Sequence, residues 1–317
     1  QEQLGKNTNK GVITLSGLDD INYNVKGTVK IDGIMINCGY ENNYKPNDPS
    51  DPKNGCPSKA FETGRLIDDP SNQPQHQLFW SNGFVAGNII ICNCLFANGP
   101  YFAIQMGSRC GHIEIYNNVF VSNRMGACRI DGGASTQVML NNKKNKGTYY
   151  LTTVDFHHNT VCFSWCRDKV MEDMGYGFEC MNKVNVEIHN NVFACNNYAA
   201  IARTRILSGP LGETEIENAK VTNVYNNCFF MNAADLQLPS AGGGKWTNVP
   251  CAKFEDVDEK ILPKYEGNKE LGKGDTFVDA LDQDYLEAFA SLKIVSSSSF
   301  DPNSAANLYR QAHGMNM

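Results

Sequence analysis

The sequence predicts an all-β chain coiled into a β-solenoid, with a short helical cap at its C-terminal end. Three observations carry this. First, one pattern recurs in Ile90-Ile91-Cys92-Asn93-Cys94-Leu95-Phe96, Ile115-Tyr116-Asn117-Asn118-Val119-Phe120, Ile188-His189-Asn190-Asn191-Val192-Phe193 and Val224-Tyr225-Asn226-Asn227-Cys228-Phe229. Phe156-His157-His158-Asn159-Thr160-Val161 is a looser fifth copy. Second, aligning Asn93, Asn118, Asn159, Asn191 and Asn227 gives spacings of 25, 41, 32 and 36 residues. A basal period near 25 with variable insertions is what a coil produces when loops leave at its corners and strands stay stacked. Third, flanking residues alternate apolar and polar, as in Val186-Glu187-Ile188-His189, the mark of a strand with one buried face.

Each element follows from that frame. Val29 to Ile36 reads as an earlier rung with Gly33 at the asparagine position. Asn suits the corner because it tolerates left-handed backbone geometry. Stacked on its neighbours, it also offers an amide to the rung above. After each corner the chain crosses a polar loop and re-enters an apolar run: Phe102–Met106, Ala127–Asp131, Gly177–Cys180, Ala200–Arg205 and Leu236–Leu238. These runs are expected to form one parallel sheet. Long insertions near 40–75, 132–149 and 164–175 interrupt the coil, and loops of such length are functional or disordered. The solenoid is expected over residues 1–250. Residues 251–317 form the expected capping segment, with short helices from Asp282 to Leu292 and from Asp301-Pro302 onward. A cap hides the unpaired edge of the last rung. No comparable cap is visible before Gly11, so the natural chain is expected to extend further at its N-terminus.

On the Ile-x-Asn-Asn-x-Phe rungs and their asparagines, the chain resembles the right-handed parallel β-helix, or pectate-lyase-like, superfamily over roughly residues 10–250. The resemblance implies the architecture. It leaves activity open, because the fold hosts lyases, hydrolases, epimerases, tailspikes and adhesins. The Asn-Thr-Asp and Gly-His-Gly signatures of polygalacturonase-like hydrolases are absent from the sequence, as is the Asp-Pro-His-Asp signature of mannuronan epimerases.

Composition removes several function classes. With 317 residues, 41% hydrophobic and 20% charged, the chain is long enough for a large packed core. It has no apolar run of the roughly 18 residues that a membrane helix needs. A net charge of −6 argues against general nucleic-acid binding. Twelve cysteines include no Cys-x-x-Cys pair, so a structural zinc site has little support. Cys92, Cys94, Cys128, Cys180, Cys195 and Cys228 lie on strand-like segments and read as small buried hydrophobes. Cys38 and Cys56 flank a polar loop and are the disulfide candidates. The chain begins with Gln, which fits either an exported, processed protein or a fragment.

Placing the apolar residues of the re-entering runs inward makes Gln105, Arg129, Glu179, Arg203 and Gln237 an outward row, with Asp131 and Arg205 a step beyond. The resembling enzymes bind extended sugar chains in such a groove, and rungs about 4.8 Å apart repeat at a spacing similar to a sugar ring. Residues 101–210 hold 11 Lys and Arg against 8 Asp and Glu, which concentrates positive charge on the middle rungs of an acidic chain. Two chemistries fit. In uronate β-elimination, Arg129, Arg203 and Arg205 would serve as base or clamps. In hydrolysis, Asp131 and Glu179 would be the carboxylate pair. Gln105, Lys169 and Gln237 would contact substrate. Against both stands a ladder of surface ion pairs, each worth little.

A second outward row, Tyr116, His157, His189 and Tyr225, runs beside Glu114, Asp155, Glu187 and Asn223. It is an acid–base or metal site, or else an aromatic stack or subunit contact. Oxygen ligands at Asp48 and Asp51 in a turn-rich loop are a weak calcium site, and no other cofactor is implied. The expected function is cleavage of an acidic polysaccharide by an exported monomer or homotrimer. The rival is a non-catalytic solenoid: an adhesin, envelope or filament subunit.

Overall fold

The computed structural model describes residues 11–15, 27–37, 76–80, 87–99, 102–107, 111–123, 125–131, 153–164, 175–181, 184–196, 199–204, 222–232, 234–239, 246–247, 262, 264–281 and 286. Strands, numbered in chain order, fall into three sheets. Sheet I stacks β1 (Gly11–Leu15), β4 (His76–Trp80), β7 (Phe102–Gly107), β10 (Gly126–Asp131), β13 (Tyr176–Met181), β16 (Ala199–Thr204), β19 (Leu236–Pro239) and β20 (Trp246–Thr247). Sheet II stacks β2 (Thr28–Asp32), β5 (Asn88–Cys92), β8 (His112–Tyr116), β11 (Thr153–His157), β14 (Asn185–His189), β17 (Thr222–Tyr225) and β21 (Tyr265–Glu266). Sheet III stacks β3 (Met35–Asn37), β6 (Leu95–Ala97), β9 (Val119–Val121), β12 (Thr160–Cys162), β15 (Val192–Ala194), β18 (Cys228–Phe230) and β22 (Lys269–Glu270). Apart from β20, which follows β19 within sheet I, successive strands visit I, II and III in turn, and every pairing is parallel except β19 with β20. The chain is therefore a parallel β-helix.

The coil continues past the boundary expected at residue 250. β21 pairs with β17 and β22 with β18, and Leu262 is fully buried in the core. The one helix with described bounds, α1 (Thr276–Asp279), follows directly. The helices expected from Asp282 and Asp301 lie outside the described residues, apart from a helical Leu286. So do most of the three long insertions, together with Cys38 and Cys56.

One turn links sheets II and III through two residues. The first is left-handed in every described rung: Gly33, Asn93, Asn117, His158, Asn190, Asn226 and Gly267 all have φ between 53° and 68°. The second is the ladder: the buried Asn118, Asn159, Asn191 and Asn227, ending in the partly exposed Asn268. Within it, the backbone and side-chain N–H of Asn118 both donate to Asn159 Oδ1 at 3.0 Å, and Asn159 repeats this to Asn191. Each side chain also donates back to a sheet II carbonyl, as Asn191 Nδ2 does to Phe156 O at 2.9 Å. Strand register corrects the sequence alignment by one residue in the first copy. Cys92 pairs with Tyr116, so Asn93 matches Asn117, and Cys94 holds the ladder position. Its thiol stands in by donating to Cys92 O at 3.0 Å.

Inside, apolar rows stack without charge. Phe96 and Phe120 stack at 5.1 Å, and Phe193 and Phe229 at 5.7 Å. Val161 occupies that row between Phe120 and Phe193. The gap is filled from sheet II, where Phe156 stands in a row otherwise held by Ile91, Ile115, Ile188 and Val224. Its ring lies 6.1 Å from Phe120 and 6.2 Å from Phe193. Gly177 leaves room for this column, since a Cβ there would run into Ala200 O and Phe193 Cδ1.

Candidate functional sites on the outer faces

Parallel register decides which candidate residues share a row on sheet I. Arg129 pairs with Gln105 on one side and Glu179 on the other, as expected. Beyond Glu179 the expected row breaks. Ala202, not Arg203, pairs with Glu179 and with Gln237, and Arg203 pairs with Cys180. The row is therefore Gln105, Arg129, Glu179, Ala202 and Gln237. The apolar run Ala199 to Ala202 gave no alternation from which to read its phase. Asp131 pairs with Gly107 and Met181, and Arg205, Lys169, Asp48 and Asp51 lie outside the described residues.

Burial sets what this row can do. The Glu179 side chain is 1% exposed, and Arg129 grips it through Nε to Oε2 at 2.5 Å and Nη2 to Oε1 at 3.1 Å. The guanidinium also lies 4.7 Å from the Phe102 ring centroid. Beside the pair is a buried cluster of Phe102, Met125, Tyr176, Ala199, Ala202 and Ala234. Gln237 is only 3% exposed. A forked ion pair in that setting binds its own partners first. A substrate carboxylate would have to displace Glu179, and a leaving group would have to reach a buried acid.

Sheet II brings the second candidate row together as read from the sequence. Tyr116, His157, His189 and Tyr225 form a continuous parallel stack, with centroids 5.2, 5.0 and 4.7 Å apart and planes within 7°. Lys264 closes one end, its Nζ 3.5 Å from the Tyr225 ring centroid. The rings face one another, so the column offers solvent its edges. Each histidine reaches back one rung to a carboxylate: His157 Nε2 lies 3.4 Å from Glu114 Oε1, and His189 Nε2 lies 2.8 Å from Asp155 Oδ1. Asn223 Nδ2 continues the pattern, donating to Glu187 Oε1 at 2.6 Å. The other ring nitrogens are engaged too. Asn190 Nδ2 lies 2.9 Å from His189 Nδ1, and His158 Nδ1 lies 2.8 Å from His157 Nδ1. Burial lowers the His189 pKa against the opposing pull of Asp155, so neutral imidazole is the favoured form there. Among the described residues no cluster of His, Cys, Asp and Glu is arranged to hold a metal ion.

Beyond this column the corner turns outward. Asn117, His158, Asn190 and Asn226 are exposed, and the next outward row on sheet III is Met35, Leu95, Val119, Thr160, Val192 and Cys228. Met35 and Val119 are 68% and 41% exposed.

Two features escaped the sequence reading. One is a second buried amide ladder at the corner after sheet III, where Asn196 donates to Asn232 Oδ1 through its backbone N at 3.1 Å and Nδ2 at 2.7 Å. Asn123 and Asn232 also donate back to Phe96 O and Phe193 O. Its signal was an Asn three residues after each Phe at Phe120, Phe193 and Phe229. The other is His158, whose place in an otherwise Asn or Gly position becomes visible once the register is corrected. All seven described cysteines are unbridged, and six of them are buried, in line with their reading as small hydrophobes. No helix among the described residues is long and apolar enough to cross a membrane. No protein family, curated protein or solved structure matches the chain.

Proposed function

We propose that this chain is an exported, adhesin-like β-solenoid that binds an extended polysaccharide along its outer corner without cleaving it. The observation that carries this reading is self-saturation of the candidate catalytic groups. Glu179 is buried and forked to Arg129, and both ring nitrogens of His157 and of His189 already have protein partners. A general acid or base needs a lone pair or proton within reach of substrate, and these groups spend theirs on neighbours. Binding asks for less. The corner between sheets II and III offers the exposed amides Asn117, Asn190 and Asn226 beside the partly exposed side chains Val119, Thr160 and Val192. Amides paired with aliphatic surface suit hydroxyl and C–H groups of a sugar, repeated at the rung spacing of about 4.8 Å.

A second reading, cleavage of a uronate polymer on sheet I, keeps one specific support. Asp131 lies two residues past Arg129 at the C-terminal end of β10, beyond the saturated Arg129–Glu179 pair. Incubation with a panel of uronate-containing and neutral polysaccharides separates the two. The expected result is co-sedimentation with one polymer, no new reducing ends and no ultraviolet absorbance from unsaturated uronate. Turnover of either kind, lost in D131A, would overturn binding alone in favour of the second reading.

A further inference from the structure

His158 is the one imidazole in the described row of amides and glycines at the first corner position. The first corner residue is left-handed, and the other described rungs fill it with Asn93, Asn117, Asn190, Asn226 or glycine. Asn is the better fit to that backbone, and its short amide can tie the corner down. One rung up, Asn190 shows how. Its Nδ2 donates to His189 Nδ1 at 2.9 Å, and an amide, unlike an imidazolium, can turn its oxygen to that nitrogen when it is protonated. At His158 the same role falls to an imidazole, with Nδ1 2.8 Å from His157 Nδ1 and the rings edge-on at 86°.

The tautomers follow from the partners. His157 Nε2 faces Glu114 Oε1 and therefore carries the proton, so His157 Nδ1 is the acceptor and His158 Nδ1–H the donor. His158 Nε2 is then a lone pair on an exposed side chain. A first proton can settle there and leave the Nδ1–H bond intact. A second proton must take His157 Nδ1, the accepting atom, and would leave two N–H groups head to head.

We propose that His157 and His158 form a proton-operated latch at the corner of the coil, closed while the pair holds at most one added proton and opened by the second. The groups facing it are Glu114 and Tyr116 from β8, Asp155 on its own strand, and Glu187 and His189 from β14. Tyr225 and Lys264 lie beyond His189, and Lys30 and Asp32 beyond Tyr116. His189 stacks on His157 with ring centroids 5.0 Å apart. Opening breaks the stack at His157, the ring that joins Tyr116 to His189, and so reshapes the surface between sheets II and III on acidification. The device depends on these contacts alone and not on the polysaccharide reading.

The repeat supplies its own control, since H158N restores the residue used by neighbouring rungs and should fold. Histidine nitrogen shifts and Tyr116 and Tyr225 ring resonances would be followed from pH 8 to pH 4.5 in the wild-type chain and in H158N. In the wild type, His158 should show the Nδ1–H tautomer at pH 8, and both tyrosine resonances should shift together as the second proton binds. In H158N the Nδ1–H tautomer and that concerted shift should both be lost. A concerted shift that persists unchanged in H158N overturns the latch. So does a wild-type chain in which both imidazoles become fully protonated while the tyrosine resonances stay fixed.

Discussion

Asn191 works in both directions along the coil axis. Its Oδ1 accepts from the backbone and side chain of Asn159, while its Nδ2 donates to Phe156 O and Asn227 Oδ1. At 1% exposed, no water replaces those partners. N191A orphans the Asn159 N–H and the Phe156 carbonyl, each at about 1–3 kcal/mol. Denaturant unfolding should therefore show a loss of about 3 kcal/mol, against about 1–2 kcal/mol for N190A one residue away, where the cost is a left-handed backbone rather than a buried amide. The Arg129–Glu179 pair makes the opposite point about net value. R129M takes the forked guanidinium from a buried carboxylate and should cost about 3–5 kcal/mol, whereas R129M combined with E179L should recover most of that, because both charges and their desolvation vanish together. A calorimetric melt of the two variants checks it. If E179L alone were as stable as wild type, the pair would not be acting as a closed unit.

At the scale of the strand, packing is decided by pairs of rows rather than by single positions. The row Phe96, Phe120, Val161, Phe193, Phe229 would carry a hole at Val161 if the sheet II row did not answer with Phe156. F156I should cost about 2–3 kcal/mol as a cavity opens beside Phe120 and Phe193. V161F alone should cost about 1–3 kcal/mol by overpacking against Phe156. Together they restore the regular pattern of the other rungs, so the double variant should be more stable than either single one, with a coupling of about 1–3 kcal/mol by a double-mutant cycle. The element scale is also where sequence reading succeeds and fails. The Ile-x-Asn-Asn-x-Phe rungs betray sheets II and III because two different constraints, an αL corner and a buried amide, fall on consecutive residues. Sheet I carries neither. Its strand from Ala199 to Ala202 is apolar at every position, so nothing in it fixes which residue faces out, and Arg203 lands one place from where it was expected. The Tyr and His column was legible because outward residues recur beside a fixed corner. That its nitrogens are saturated was not legible, since Asn190 and His158 approach across the turn.

The whole molecule is a stack in which each rung is stable only through its neighbours. Its two ends are therefore unequal. In the middle rungs Ile89, Ile91, Ile113, Ile115, Phe156 and Ile188 are fully buried. In the first rung Ile13, Leu15, Val29, Ile31 and Ile34 are only partly buried against the same core. The asparagine ladder gives way at that end too, to Cys94 and then Ile34: the Cys94 rung is still held by Asn118, through Cys94 N–H to Oδ1 at 2.9 Å and Nδ2 to Ile91 O at 3.0 Å, but no ladder amide ties the first rung to it. Opening should begin there and advance rung by rung, because removing one rung exposes the next without disturbing those beyond it. Native-state hydrogen exchange should show amides of β2 and β3 exchanging on the order of 100-fold faster than those of β8, β11 and β14, a gap of about 2.7 kcal/mol. Substituting Cys94 by Asn extends the ladder by one rung, since its Nδ2 would reach Ile31 O, which the Cys94 thiol now faces at 3.8 Å. Slower exchange in β2 and β3 of C94N, with β11 and β14 unchanged, is the expected outcome. Equal protection across all rungs in the unaltered chain would mean that the coil opens as a single cooperative unit and that the amide ladder does not set the order.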